Sequence, residues 1–461
     1  MEKLDLEYRK NDYVDNYVKK YGNKPSYSVV THGCQMNEND SGKIKALLES
    51  MGFVESADKL KADFIIFNTC LVRDNAEQKV FGQLGSLKNL KKENPDMLIA
   101  VCGCMMQTGD AKDIIREKYK NVDIIFGVNN ISSLPSLIER HLASGELEID
   151  TSVSDDIDQI VTTKRDNNIN GYVNIMTGCN NFCTYCIVPY ARGREKSRSV
   201  ASIVSEVEDM VSRGYKEVTL LGQNVNSYGK NLEEPVTFTE LLKIINDIDG
   251  LERIRFLTSH PKDISDDLIE AIGSLDKVCE NIHLPFQAGS NAVLKRMNRK
   301  YTREDYLEII AKLRKACPDI TFSTDIIVGF PGETEEDFQD TLDLVKQVRY
   351  EQAFTFKYNR RPGTKADLFE DQIDEDVKQD RFQRLLDVLY PIFYEENKKY
   401  LNTDQEVLIE GVSKNNPDIL TGRTRTFKLV NVKGDKSLIG KLVNVHINDF
   451  NSFALSGEYR R

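Results

Sequence analysis

Residues 172–186 read YVNIMTGCNNFCTYC, and the fold of the larger part of the chain follows from this stretch. Its first half is a short apolar run that reads as a buried strand. Its second half sets Cys179, Cys183 and Cys186 in a CxxxCxxC loop at the strand's end. Three thiolates within eight residues can wrap one face of a cuboidal iron–sulfur cluster, which normally takes four cysteines, so one iron stays open for another ligand. A zinc site is the alternative; it needs a fourth Cys or His at matching spacing, and the closest histidine is His260. Nine cysteines in a chain without an export signal favour metal ligation or catalysis over disulfides. Cys279 and Cys317 stand alone and read as small buried residues.

Outward from the loop, strand-like and helical patterns alternate. The runs at 172–178, 217–224, 253–259, 281–288, 321–330 and 352–358 read as strands, with helical patterns at 199–214, 239–248, 265–274, 303–316 and 334–348. Six βα units suit a partial (β/α)6 barrel better than a closed eight-stranded one, which needs ~250 residues. Gly222, Gln223 and Asn224 follow the second strand, and Ser259, Gln287 and Asp325 lie in or at the ends of later ones. Each reads as a cofactor contact or, equally, as a cap or turn residue. FPGET (330–334) reads as a glycine-permitted turn in which Thr334 caps the next helix. The loop YARGREKSR (190–198) gathers Arg192, Arg194, Lys196 and Arg198, either to attract a carboxylate or phosphate or as a solvated charged loop.

Upstream, YSVVTHGC (27–34), ADFIIFNTC (62–70), MLIAVCGC (97–104) and VDIIFGV (122–128) read as buried strands, with helical patterns at 42–53 and 76–94 between them. This alternation argues for a doubly wound parallel α/β sheet, whose functional groups collect at the carboxyl ends of its strands. Cys34, Cys70 and Cys104 sit at three such ends, and strand periodicity alone does not separate Cys104 from Cys102. The acidic stretch 146–171 reads as a linker containing a hairpin, and 374–402 as a charged helix interrupted at Pro391. From Thr403 the short, β-branched, turn-punctuated runs describe a small all-β barrel.

Composition sets the outer bounds. Hydrophobic residues make up 40% and charged residues 29%, and no window approaches the ~20 apolar residues of a membrane span, so a cytoplasmic address with no membrane partner is expected. The net charge of −11 does not suggest a polyanion binder, yet residues 401–461 carry nine Lys/Arg against seven Asp/Glu, a local excess of +2.

The CxxxCxxC loop, with Tyr185 just before its last cysteine, resembles the radical S-adenosylmethionine (SAM) superfamily. THGCQMNENDS, FNTCLVRDNAEQKVFGQLG and VCGCMMQ resemble the amino-terminal domain of the methylthiotransferase family, and GRTRTFKLV resembles its terminal RNA-binding TRAM barrel. The resemblance implies domains at 25–143, 165–395 and 398–461, with two [4Fe-4S] clusters. One would be held by Cys179, Cys183 and Cys186 and chelate SAM through its open iron; an auxiliary one would be held by Cys34, Cys70 and Cys104. It is the resemblance that sets Cys102 aside, and Met106 departs from the Ala usual there. The strings GCQMN, CTYCIVPYARGREKSR and GQNVNSYG are most similar to the branch acting on N6-isopentenyl-adenosine at tRNA position 37. That branch implies two SAM per turnover, a tRNA anticodon stem-loop as partner, an electron donor such as flavodoxin or ferredoxin, and a sulfur donor of unknown identity. Gly222, Gln223, Asn224, Ser259, Gln287 and Asp325 become candidate SAM contacts. The alternatives are a branch acting on threonylcarbamoyladenosine in tRNA or on a ribosomal-protein side chain, and a non-enzymatic iron–sulfur carrier or sensor.

Overall fold

The computed structural model describes residues 12–58, 60–70, 74–108, 110–152, 163–165 and 169–460. The chain divides into two units. One comprises Met1–Asp166 with Thr177–Asn180 and Ile187–Lys196; the other comprises Asn167–Met176, Asn181–Cys186 and Ser197–Arg461.

In the first unit, runs of consecutive apolar residues form a parallel sheet covered on both faces. Its strands are β1 (Ser26–His32), β2 (Val54–Glu55), β3 (Phe64–Thr69), β4 (Leu98–Gly103), β5 (Ile124–Phe126) and β6 (Glu148–Asp150), in the order β2-β1-β3-β4-β5-β6. The alternation of β3 shows why both faces are dry. Phe64 and Ile66 pack with Ile44, Leu48 and Leu137, while Ile65 and Phe67 pack with Val80, Leu84 and Ile115 on the other side. Each such side chain contributes about 1.5–3 kcal/mol by leaving water. From β1 the chain first goes outward to β2 and then back across to β3, so the topological switch lies between β1 and β3.

Two readings change here. Residues 148–150, expected within the linker, form an edge strand parallel to β5 (Ile125↔Ile149) rather than an arm of a hairpin; 153–162 and 166–168 lie outside the described residues. The helix Asp12–Tyr21, for which no element was expected, buries Tyr13, Val14 and Tyr17, with Tyr13 stacked on Phe53 at 5.6 Å.

The second unit contains the expected partial barrel. β7 (Asn170–Asn174) is followed by the two-residue strands β8 (Met176–Thr177) and β9 (Lys196–Ser197), and then by β10 (Glu217–Leu221) and β11 (Arg253–Phe256). β12 (Asn281–His283), β13 (Thr321–Val328) and β14 (Gln352–Lys357) complete it. β7, β10 and β11 form one parallel three-stranded sheet and β12, β13 and β14 a second, with a bridge from Ile254 to Val278 between them. One face of these strands (Val218, Leu220, Ile282, Phe322, Ile326) meets a helical layer that includes Ile203, Leu241, Leu313 and Phe338. Thr334 caps helix Glu335–Val348 as expected, accepting from Asp337 N–H at 3.2 Å within a capping box. The helix Glu375–Lys398, in contrast, runs on through Pro391. An internal proline costs ~3 kcal/mol, and burial of Leu385, Leu389, Ile392 and Phe393 around it offsets that cost.

The last strands are β15 (Asp404–Val412), β16 (Ile419–Thr424), β17 (Leu429–Lys433), β18 (Leu442–Phe450) and β19 (Leu455–Tyr459). They close in the order β15-β16-β17-β19-β18 around Val407, Ile409, Val430, Val432, Val445 and Ile447. This small barrel docks on the amino ends of the core strands. Arg253 donates to Arg423 O (2.9 Å) and Glu406 Oε1 (2.8 Å). Arg255 donates to Glu217 (2.9 Å) and to the carbonyls of Thr424 and Arg425 (2.8 Å each). Both arginines and Glu217 are buried. Arg255→Met removes the close partner of a buried carboxylate and is expected to destabilise the fold by about 3–5 kcal/mol. A chemical-denaturation midpoint indistinguishable from the parent's would refute that reading of the interface.

Candidate active site

In the amino-terminal unit, three of the cysteines follow neighbouring strands. Cys34 follows β1, Cys70 follows β3 and Cys104 follows β4, so the first two flank the topological switch where parallel sheets bind ligands. A buried amide network ties these ends together. Asn37 Nδ2 donates to Asn68 Oδ1 (3.1 Å), Asn68 Nδ2 donates to Asn37 O and Ser41 Oγ (2.9 Å each), and Thr69 Oγ1 donates to Cys102 O (2.8 Å). Cys34 stands at the N-cap position of the helix Gln35–Ser50 without a side-chain cap bond, and its thiol meets Asn37 Oδ1 at 3.3 Å. A hydrogen bond from the Cys70 thiol, reinforced by the Arg192 charge and the backbone N–H groups of Asn37 and Met36, brings the Cys34 thiol down to about 5 against the opposing effect of burial.

The backbone separates Cys102 from Cys104. Cys102 continues the parity of Leu98 and Ala100 into the core with Ile124 and Phe126, where burial pushes its thiol well up. At Gly103 the chain turns, with φ at +102°, and a Cβ there would lie 2.3 Å from Thr69 O. Cys104 then opens the short helix Cys104–Gln107, and its sulfur accepts from Arg192 Nε at 3.2 Å. Arg192 is buried and ion-paired with Asp40 at 2.9 Å.

The basic loop is therefore corrected in two places. Arg192 serves a cysteine, and Arg198 is held by Glu206 (2.7 Å), Ser202 and Asn174 O; Arg194 is exposed.

The CxxxCxxC loop is shaped by its backbone. Gly178 has φ +78°, and a Cβ there would collide with Arg194 O; Cys179 N–H donates to Gly193 O at 3.1 Å. Phe182 is held at φ +48° while Asn298 Nδ2 donates to the carbonyls of Asn181 (3.1 Å) and Phe182 (3.0 Å). Thr184 N–H donates to Met297 O, and Cys186 N–H to Cys183 O. Arg299, also buried, donates to Cys183 Sγ at 3.3 Å and to Pro285 O, and its Nε faces Tyr301 Oη at 3.1 Å. Burial, with the negative charge of Cys183 nearby, pushes the Tyr185 hydroxyl well up. His260 is not set apart as a zinc ligand: its Nδ1 accepts from Lys262 N–H at 3.2 Å. None of the nine cysteines is in a disulfide, and among the described residues no three His, Cys, Asp or Glu side chains are gathered as ligands of one metal ion.

The candidate cofactor residues meet the carboxyl ends of the strands. Gly222 packs where a Cβ would lie 2.6 Å from Met176 Cγ, and Gln223 is half-buried beside it. Asn224 is buried, with Nδ2 on Asp263 (2.8 Å) and Oδ1 without a hydrogen bond. Ser259 Oγ is also buried without a hydrogen bond, as is Asn174 Oδ1 at the end of β7. Gln287 has φ +70° and Thr258, beside Ser259, has +65°, a region β-branched residues avoid and one where strain marks functional positions. Asp325 Oδ1 lies 3.5 Å from His283 Nε2, and His283 packs edge-on against Phe354 at 5.8 Å. Phe354 and Phe356 are each 46% exposed, in register with Asp325 and Ile327 on the strand face opposite the helical layer. Asn174, His283, Arg299 and this aromatic pair were not singled out in the sequence, and no spacing marks them.

Three regions match known families: residues 26–127 match the uncharacterized protein family UPF0004, 173–345 the radical SAM superfamily and 398–459 the TRAM domain. The chain is 76% identical over 448 residues to the tRNA-2-methylthio-N(6)-dimethylallyladenosine synthase of Finegoldia magna, covering 97% of each chain. It is 56% identical over 440 residues to the synthase of that name from Alkaliphilus oremlandii, covering 95% of this chain and 93% of the relative. Among solved structures, the radical SAM methyltransferase TsrM from Kitasatospora setae shares the fold, with a TM-score of 0.55 at 14% identity over 75% of this chain and 77% of its own. With the synthases matched nearly end to end, the chain belongs to the family of tRNA-2-methylthio-N(6)-dimethylallyladenosine synthases, within the radical SAM superfamily.

Proposed function

We propose that the chain adds a methylthio group to C2 of N6-isopentenyl-adenosine at position 37 of tRNA. It would use two [4Fe-4S] clusters and two SAM per turnover, with an electron donor such as flavodoxin or ferredoxin. The observation that carries the reading is a pair of separate cysteine sets, each at the carboxyl ends of parallel strands and each touched by a buried arginine, in a chain matching named synthases over 97% of its length.

The donor chemistry fits the groups. Thiolates are the usual cluster ligands, and Cys34 sits at a helix N-terminus with its thiol depressed while Arg192 donates to Cys104. The buried polar atoms of Asn174, Asn224 and Ser259 would suit a polar cofactor, since an unmet buried hydrogen bond costs ~1–3 kcal/mol. When bound, the clusters and SAM would supply the one-electron chemistry that ordinary acid–base groups cannot bring to an adenine carbon, with the sulfur coming from a donor of unknown identity. The chain's own residues then hold and orient. Cys34, Cys70 and Cys104 would carry the auxiliary cluster; Cys179, Cys183 and Cys186 the other; Gly222, Gln223, Asn224, Ser259, Gln287 and Asp325 would line the SAM site.

Phe354 and Phe356 offer an exposed aromatic face to an unstacked base bearing an apolar isopentenyl group. Stacking on such a ring is worth ~1–3 kcal/mol per base, so Phe354→Ala should lower kcat/KM for the tRNA about 5- to 150-fold while uncoupled SAM cleavage persists. An unchanged kcat/KM would remove the ring from substrate binding. The reading as a whole is tested by nucleoside mass spectrometry of tRNA incubated with the reconstituted protein, SAM and reductant. Conversion of isopentenyl-adenosine to its 2-methylthio form is expected, and none in the presence of both clusters would overturn it.

A further inference from the structure

Arg299 presents an energetic problem. Its guanidinium is buried, the whole residue being 8% exposed. Its neighbours are Pro285 O at 3.2 Å, Tyr301 Oη at 3.1 Å and Cys183 Sγ at 3.3 Å. Among the described residues none of its hydrogen-bond partners is a carboxylate. Arg192 differs: it touches Cys104 but is neutralised by Asp40. An unpaired buried charge costs several kcal/mol and persists only where something anionic answers it. Among the described residues, the only anion-forming group in Arg299's hydrogen-bonding reach, besides a tyrosine hydroxyl that burial keeps protonated, is the sulfur of Cys183.

We infer that Arg299 is the built-in counter-charge of the iron–sulfur centre on Cys179, Cys183 and Cys186 and raises its reduction potential. The inference rests on that centre being held there. Reduction adds one negative charge to a buried group, so a fixed cation donating N–H to a ligand sulfur stabilises the reduced form more than the oxidised one. Arg299 therefore makes the reduced state accessible to a physiological donor, and it acts through Cys183 without touching substrate.

The test is an EPR-monitored potentiometric titration of the full-length reconstituted protein, with Cys34, Cys70 and Cys104 replaced by Ala so that one centre titrates. In that background, Arg299→Met and Arg299→Gln should lower the midpoint by at least about 59 mV, a tenfold change in the one-electron equilibrium. Iron should stay at about four per chain. Arg299→Lys keeps the charge and should restore more than half of the shift, which a purely structural role would not do. Midpoints of the Met and Gln variants equal to the parent's, with iron retained, would overturn the inference. A parent lacking about four irons would overturn the assignment of the centre itself, and the inference with it.

Discussion

Replacing Cys34, Cys70 and Cys104 together with Ala is expected to abolish methylthio transfer, with a fall of more than about 100-fold, beyond what loss of an outer-shell partner costs. SAM cleavage under strong reductant should remain detectable, and iron should drop from about eight to about four per chain. The expectation follows from where these thiols stand. They end three adjacent strands, are cross-tied by Asn37, Asn68 and Thr69, and include one thiol already biased toward the thiolate. Structural cysteines would behave otherwise, losing stability while product formation persisted in the surviving folded fraction. Methylthio product from the triple variant at a rate comparable to the parent's would end the transfer role of this set. Cys102→Ala, a substitution in the sheet core, should leave iron content unchanged.

The second large effect belongs to the loop. Cys183→Ala removes the sulfur that Arg299 contacts and leaves a buried guanidinium without that partner, so both cluster retention and local packing should suffer. Formation of 5′-deoxyadenosine should fall below detection, and iron should again fall to about four, now on the other set. The two substitution sets thus give the same iron count with opposite nucleoside readouts. Persistence of 5′-deoxyadenosine formation in Cys183→Ala would remove the loop from SAM cleavage.

Much of this was legible in the sequence because buried parallel strands read as unbroken apolar runs. The runs at 62–70 and 97–104 contain β3 and β4, five of the six barrel strands fall inside the runs named for them, and β7 overlaps its run, starting two residues before it. The CxxxCxxC loop was legible for the opposite reason: its meaning lies in local spacing. What escaped depends on backbone angles and on partners remote in sequence. Cys102 and Cys104 share a strand parity until Gly103 turns the chain, and no periodicity shows a φ of +102°. Arg192 sits in a string that looks solvated, and only the fold brings Asp40 and Cys104 to it. The edge strand Glu148–Asp150 is too short and too acidic to announce itself. Pro391 looked like a break because an isolated helix would break there; burial on one side of the helix holds it continuous.

The docking of the terminal barrel acts as a ruler. Arg253 and Arg255 grip it at the amino ends of the core strands, while Cys183 and Cys186 belong to the carboxyl ends. The two ends are separated by roughly the length of a strand, and at about 3.3 Å per residue the eight residues of β13 span on the order of 25 Å. On the proposed function, an RNA held at the terminal barrel has to bridge that length before its base meets the cysteine loop. On that reading, a free nucleoside is too small to engage both ends and should be a poorer substrate than the tRNA.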